Sequence, residues 1–287
     1  MIPPAFDYVR ATSIDEAVSA LASSGEDAKV LAGGQSLLPL LRLRLAYPTV
    51  LVDVGGIADM GGVRDDGDAI VIGAATRHAD VIADPLVRQH TPLVALATQT
   101  VADRLVRHRG TFGGSLAHAD PAGDLPAVAT ALDAEFVVAG SGGGRRTVAA
   151  SDFFVDYLQT SMQPDELLVE VRVPKLGDGW GYHYEKFHRV AQAWAIVGVA
   201  AAVKRSNGSI AEARIGLTNM GPRPVRATAS EQALAGTSLD EAAIGAATAN
   251  ADDGCDPPSD LGGQADYRRH LVRVLTRRAV LAAAAST

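Results

Sequence analysis

Two runs of small residues constrain the fold of this chain more tightly than anything else in it. The longer, residues 109–124, reads R-G-T-F-G-G-S-L-A-H-A-D-P-A-G-D and gathers glycines, hydroxyls and two carboxylates in one loop-like stretch. Gly110, Gly113 and Gly114 permit positive φ and let backbone N–H groups approach an anion, while Thr111 and Ser115 add hydroxyls for phosphate oxygens. The shorter run, Ala32-Gly33-Gly34-Gln35-Ser36, follows the apolar Lys29-Val30-Leu31 and precedes Leu37-Leu38-Pro39-Leu40-Leu41. It therefore sits where a strand hands over to a helix N-terminus. One Gly-Gly pair beside Ser or Thr is usually an ordinary turn; two such loops suit a pyrophosphate. Neither matches G-x-G-x-x-G, and no G-x-x-x-x-G-K-[S/T] occurs, which disfavours a Rossmann NAD site and a P-loop. A nucleotide needs another kind of fold here.

At 287 residues, with 47% hydrophobic and 21% charged content, the chain can bury large cores and is expected to form two or three compact units. A net charge of −7 with scattered Lys and Arg argues against nucleic acid as a partner. The start shows no basic region followed by an apolar stretch, so a cytoplasmic location is expected. The longest apolar run, 193–203, is shorter than the roughly 20 residues a bilayer requires. Cys255 is the only cysteine, which leaves no internal disulfide and no four-cysteine cluster in this chain. Any iron–sulfur cluster has to belong to a partner.

Along the chain, residues 6–10 read as a strand, Ser13 as an N-cap with Glu16 three residues on, and 14–21 as a helix. Strand 29–31, a leucine-rich helix over 36–45 and strand 50–54 complete a β-α-β unit over 1–55. A second unit, 56–176, opens with strands near Val63 and 70–72 around an Asp-rich turn. It continues with helices at 77–83 and 93–101, the long loop, a helix at 125–132, and strands at 135–139, 147–149 and 167–173. From 177 to 287 the pattern changes to three strands, 182–190, 195–204 and 210–218, with a hairpin at Ser206-Asn207-Gly208. Helices at 225–235, 239–250 and 264–284 follow, making a separate α+β domain.

The histidines at 78, 90, 108, 118, 183 and 188 and Cys255 are dispersed, without zinc-site spacing, so no metal ligand is assigned. No G-x-S-x-G elbow occurs and nothing pairs Cys255 with a base. His118, Asp120 and Asp124 read as an acid–base set or as turn chemistry beside Pro121 and Gly123, with cofactor contact preferred over catalysis. Trp194 opens an apolar strand and reads first as a core aromatic, second as a plate against a planar ring. Lys186, between Tyr184 and Phe187, either faces solvent or places a cation against phosphate or a reduced ring.

The two loops, in their order and separation, together with Ala119-Asp120-Pro121, Asp124, Glu166-Leu167-Leu168 and the third domain, resemble the FAD-binding medium subunits of molybdenum hydroxylases, the xanthine oxidase family. The length and the stretch Ile215-Gly216-Leu217-Thr218-Asn219 are most similar to the carbon monoxide dehydrogenase branch. The resemblance implies an α+β chain: a two-lobed vanillyl-alcohol-oxidase/PCMH-type FAD domain, then a C-terminal domain of a three-stranded antiparallel sheet with three helices. It implies FAD held by Ala32, Gly33, Gly34, Gln35 and Ser36 and by Thr111, Phe112, Gly113, Gly114 and Ser115. Further contacts are implied for Asp124, Leu168 and Lys186, with Trp194 shielding the isoalloxazine. Gln35, Ser115 and Ala193 stand where many relatives carry His, Asn and an acidic residue. Gln and Ser still hydrogen-bond, whereas losing an acid beside Trp194 bears on flavin potential.

The implied function is electron relay, with no catalytic residue on this chain. A large molybdenum–pterin subunit oxidises the substrate, a small 2Fe-2S subunit carries electrons, and FAD passes them to an external acceptor such as a quinone, in aerobic carbon monoxide oxidation. A dimer of heterotrimers is implied, with peripheral contact at the inner membrane face compatible with a quinone acceptor. The alternatives are the same role in an aldehyde or N-heterocycle hydroxylase, a flavin-free bridging subunit, and a stand-alone FAD oxidase.

Overall fold

A computed structural model describes residues 2–286; Met1 and Thr287, the ends of the expected domain ranges, lie outside the described residues. The first sheet is β1 (Asp7–Arg10), β2 (Ala28–Leu31) and β3 (Val50–Asp53), all parallel in the order β1-β3-β2, with α1 (Ile14–Ser24) and α2 (Leu37–Leu43) as crossovers. Ser13 caps α1 as its sequence predicts, accepting from Glu16 N–H at 3.1 Å, while Glu16 accepts from Thr12 N–H at 2.7 Å. The helix buries Ile14, Ala17, Val18 and Leu21, one face at three-to-four spacing.

Strands β4 (Val63–Asp65) and β5 (Ala69–Gly73) begin the second sheet. Helices α3 (His78–Ala83), α4 (Pro85–His90), α5 (Pro92–Gln99), α6 (Arg104–Arg107), α7 (Phe112–Ala117) and α8 (Asp124–Ala131) come next. Strands β6 (Glu135–Ala139) and β7 (Arg145–Ala149), the short helix α9 (Ala150–Phe153), the small hairpin β8 (Phe154–Asp156) and β9 (Gln159–Thr160), and β10 (Leu167–Pro174) complete the unit. The sheet order is β4-β5-β10-β6-β7, antiparallel throughout. Several features depart from the sequence reading, among them α6, α9 and the β8–β9 hairpin, none of which was expected. Helix α4 is additional, although Asp84 as N-cap and Pro85 at its first position are a legible start signal. The stretch 109–124 is not continuous loop either, because α7 occupies its middle, capped by Thr111.

The third sheet is antiparallel: β11 (Trp180–Phe187), β12 (Val197–Ser206), β13 (Ser209–Thr218) and β14 (Val225–Arg226). The three expected strands are thus joined by a fourth of only two residues, too short to leave a periodic signal. Asn207 and Gly208 take φ of 51° and 79°, the left-handed pair that a two-residue hairpin turn requires. Helices α10 (Thr228–Leu234), α11 (Glu241–Ala247) and α12 (Ala265–Ala285) follow, and α12 lies along β11 and β12. Strand β11 ends at Phe187 and β12 starts at Val197, so 188–196 is a connecting loop, and Trp194 belongs to it rather than to a strand.

Strand β12 explains how the parts adhere. Ala200 and Ala202 face the core that fills the first two sheets, whereas Val199, Ala201 and Val203 face the core under α12. Burial on both faces is why this strand reads as one unbroken apolar run. The small side chains on its first-core face leave room for α8, and Gly216 on β13 completes the fit, since a Cβ there would run into the Ala127 carbonyl of α8. Gly216→Ala is therefore expected to destabilise the fold by about 1–3 kcal/mol in urea titration. Gly144→Ala, whose Cβ would meet open space, should change it by less than about 0.5 kcal/mol.

Candidate cofactor site

The two glycine loops lie against each other. A Cβ on Gly33 would strike the Arg109 carbonyl and come within 2.7 Å of Gly110 Cα, so only glycine allows this backbone approach. Gly34 takes φ +73°, which turns the chain out of β2 and into α2. Between the loops runs a cleft of about 640 Å³. Its walls include Ala32 to Ser36 from the first loop and Gly110, Thr111, Gly113, Gly114 and Ser115 from the second. Lys29 and Val30 of β2 line it, with Leu158 to Thr160 of the small hairpin and Glu166, Leu167 and Leu168 leading into β10.

The donors of the two loops differ. Among the described residues, the N–H groups of Gly33, Gly34, Gln35 and Ser36 have no protein acceptor, leaving four adjacent donors for an anion. In the second loop, Phe112 N–H donates to Thr76 O at 2.8 Å, Gly113 N–H to Ala74 O at 2.9 Å and Gly114 N–H to Thr111 Oγ1 at 3.2 Å. Gly110, Gly113 and Gly114 also lack the positive φ expected of them. Their role is close packing: a Cβ on Gly113 would sit 2.6 Å from Ala74 Cα, and one on Gly114 would sit 2.5 Å from Thr111 Oγ1. The substituted side chains fold onto their own loops, Gln35 Nε2 donating to Gly33 O at 3.1 Å and Ser115 Oγ to Phe112 O at 2.8 Å.

Two histidines line the cleft as well, His78, which no motif assigns, and His118, read from the sequence with Asp120 and Asp124. His78, first residue of α3, is almost fully buried with Nδ1 unpartnered, and burial reinforced by Arg107 pushes its pKa down to about 4. His118 stands 4.0 Å from Asp120, and burial pushes it below the ordinary histidine value against the pull of that carboxylate. No motif announces His78; it reaches the cleft because residues 76–78 bridge to 110–112.

Phe112, Asp124, Lys186 and Trp194 lie outside the cleft lining. The Phe112 ring is buried in the core. Asp124 opens α8 and accepts from Lys186 Nζ at 2.8 Å and from Tyr184 Oη at 2.8 Å, while Lys186 also donates to Thr100 O at 3.1 Å. Both members of the ion pair are buried, with side chains only 5% exposed, so Lys186 does not face solvent. Burial pushes the Asp124 carboxyl up, opposed by the ammonium, and lifts the Tyr184 phenol well above its ordinary value. Trp194 is 55% exposed, not core, and borders a second cavity of about 1070 Å³ whose wall includes Asp120 and Pro121 from the end of the second loop. Strand β11 ends at Phe187, which leaves the loop after it to carry Trp194 across.

These loops, a parallel three-stranded unit, an antiparallel five-stranded unit and a third α+β unit define an FAD-binding oxidoreductase subunit. Residues 4–176 match the family described as the FAD binding domain in molybdopterin dehydrogenase, and residues 182–283 match the CO dehydrogenase flavoprotein C-terminal domain. The carbon monoxide dehydrogenase medium chain of Hydrogenophaga pseudoflava is 41% identical over 99% of this chain and 98% of its own. The 6-hydroxypseudooxynicotine dehydrogenase complex subunit alpha of Paenarthrobacter nicotinovorans is 39% identical over 97% and 94%. The solved carbon monoxide dehydrogenase of Hydrogenophaga pseudoflava superposes with a TM-score of 0.96 at 43% identity, covering 100% of this chain and 99% of that one. The chain belongs to the FAD-binding medium subunits of the molybdenum hydroxylases. The residues fit such a cofactor: two loops packed so closely that a Cβ on Gly33 would force them apart, with four unpaired N–H groups beside the contact, suit a diphosphate. No helix among the described residues is long and apolar enough to cross a membrane.

Removing the carboxylate of Asp124 strands a buried ammonium, so Asp124→Ala should cost about 3–5 kcal/mol in urea unfolding, and Asp124→Asn with Lys186→Met should recover most of it. His78 is neutral when folded and has an ordinary pKa of 6.5 when unfolded, so the unfolded chain takes up its proton first. Its contribution is complete above pH 6.5 and is lost as pH falls toward 4, by up to about 1.4 kcal/mol per pH unit. His78→Phe should flatten that acid-side loss when urea midpoints are compared across this window.

Proposed function

We propose that this chain is the electron-relay subunit of a molybdenum- and iron–sulfur-containing dehydrogenase, with FAD seated in the cleft between its glycine loops. The observation that carries this reading is the contact of Gly33 with the Arg109–Gly110 backbone, which creates a cradle lined by unpaired N–H groups. Gly33, Gly34, Gln35 and Ser36 hold the diphosphate through backbone donors, Thr111 adds its hydroxyl, Ser115 braces the second loop through Phe112 O, and Gly113 and Gly114 keep that loop close enough to close the cradle. Ala32 and Leu168 pack against the cofactor from the cleft walls. Asp124 and Lys186 fix the start of α8 at the end of the second loop, on the side toward Trp194, which shields the flavin ring. When bound, FAD takes electrons singly from clusters and releases them in pairs.

The division of labour follows from what this chain lacks. Cys255 is buried, and its thiol is pushed up to about 11 by burial and the neighbouring Asp252. The 2Fe-2S clusters therefore come from a small partner and the molybdenum–pterin from a large one, in a dimer of heterotrimers. The lobes 1–55 and 56–176 carry FAD, and 177–287 covers it. A quinone at the inner membrane face is the proposed acceptor. Aerobic carbon monoxide oxidation is the first assignment of the whole complex, supported by the 41% identity to a carbon monoxide dehydrogenase medium chain. Hydroxylation of an N-heterocycle is the second, favoured by nearly equal identity to the 6-hydroxypseudooxynicotine dehydrogenase subunit.

The chain purified with its partners should show flavin and iron–sulfur absorbance and release FAD on denaturation, identified by chromatography. Gly33→Val should abolish that flavin, and retention of full FAD content would overturn the cradle. Trp194→Ala should alter the flavin spectrum and midpoint potential; no change in either removes the shielding role.

A further inference from the structure

His78 is not an ordinary core histidine. Its backbone N–H donates to Gly110 O at 2.9 Å, next to the Phe112 bond to Thr76 O, so residues 76–78 and 110–112 form a single antiparallel bridge. This bridge presses the imidazole onto the second loop: a Cβ at Gly110 would lie 2.9 Å from His78 Cδ2 and 3.2 Å from Nε2. The Cδ2–Nε2 edge therefore faces the loop, and the ring lines the cleft. Nδ1 is sealed from solvent with no hydrogen-bond partner.

The tautomer follows from that asymmetry. A buried N–H without an acceptor is rarer and more costly than a buried acceptor without a donor. Nδ1 therefore keeps its lone pair, and Nε2 carries the proton on the edge toward Gly110. Arg107 is the charged neighbour of the ring, and together with burial it opposes a second proton. The second loop keeps few donors: the N–H groups of Phe112, Gly113 and Gly114 are already bonded within the protein, which leaves the N–H and hydroxyl of Thr111. An imidazole N–H beside Gly110 adds a donor on that side.

We propose that His78 is a cofactor-binding residue whose Nε2–H donates to a diphosphate oxygen of FAD at the Gly110 side of the cleft. The inference rests on the FAD reading of that cleft. It strengthens the weaker side of the cleft: the backbone of Gly33 to Ser36 donates on one side, Thr111 and the His78 ring on the other. The nearly complete burial of His78 keeps water from competing for that bond.

The test is to strip flavin from the purified complex and titrate it with FAD in wild type, His78→Gln, His78→Asn and His78→Phe. Gln places its amide nitrogen where Nε2 stands, and Asn places its own where Nδ1 stands. The expected result is an FAD Kd for His78→Gln within about threefold of wild type, with His78→Asn and His78→Phe weaker by about tenfold to a hundredfold, as for a lost bond to a charged acceptor. The ³¹P resonances of bound FAD should move in His78→Phe and stay in place in His78→Gln. The flavin-free His78→Phe should unfold at a urea midpoint no lower than wild type at pH 7.5, because it loses an unpartnered buried nitrogen. Wild-type affinity in His78→Phe overturns the proposal. So does an equal loss in His78→Gln and His78→Phe with unchanged ³¹P resonances, which assigns the ring to packing alone. A wild-type complex that takes up no FAD rejects the cleft reading itself, a result distinct from either.

Discussion

Gly33 lies directly on the Arg109–Gly110 backbone, and a single methyl group there would force the two loops apart. The loops come from different sheets, one after β2 and the other between α6 and α8. Contact between them therefore requires the parallel and antiparallel units to be held in one orientation. The bridges from Thr76 and His78 to residues 110–112 set the second loop, and the φ of Gly34 sets the first. The cleft is the space left when these constraints are met together.

Helix α8 carries the same logic into the third unit. Its first residue, Asp124, is bonded to Lys186 and Tyr184 of β11. Its far end is reached by Arg226 of β14, which donates to Thr130 O and to Asp133 at 2.8 Å each. Its middle is met by Gly216 of β13. A buried ion pair is weak evidence of stability but strong evidence of orientation, because leaving either member unpaired is costly. The pair fixes where the chain leaves the second loop, and so where the 188–196 loop with Trp194 stands relative to the cleft.

Much of the architecture was legible because its signals are local. Ser13 before an apolar periodic run, the Asn207-Gly208 turn, and the apolar stretches of β3, β10 and β12 each declare themselves within a few residues. The loops 32–36 and 110–115 were legible as chemistry, since Gly with Ser or Thr after a strand has few other uses. The reason for the glycines was not. Positive φ is a property of one residue and can be guessed, but at Gly113 what excludes a side chain is Ala74, far away in sequence, and at Gly114 it is Thr111, whose capping role depends on a helix too short to be foreseen. The two-residue β14 and the helix α7 inside the supposed loop escaped for a related reason, being too short to show a period.

Residue type and spacing were enough to show the two glycine loops, the strand-to-helix handovers around them and a chain with a single cysteine, because each of these is written residue by residue. Tertiary structure alone decided which donors stay free. The first loop keeps its N–H groups open while the second bonds most of its own to the protein, because only the latter packs against β5 and the chain leading into α3. It also decided that Lys186 turns inward to Asp124, that Trp194 stands at a cavity mouth, and that His78 lines the cleft. Each depends on which distant segment folds against it, and hydrogen bonding and burial are settled by those neighbours rather than by residue type.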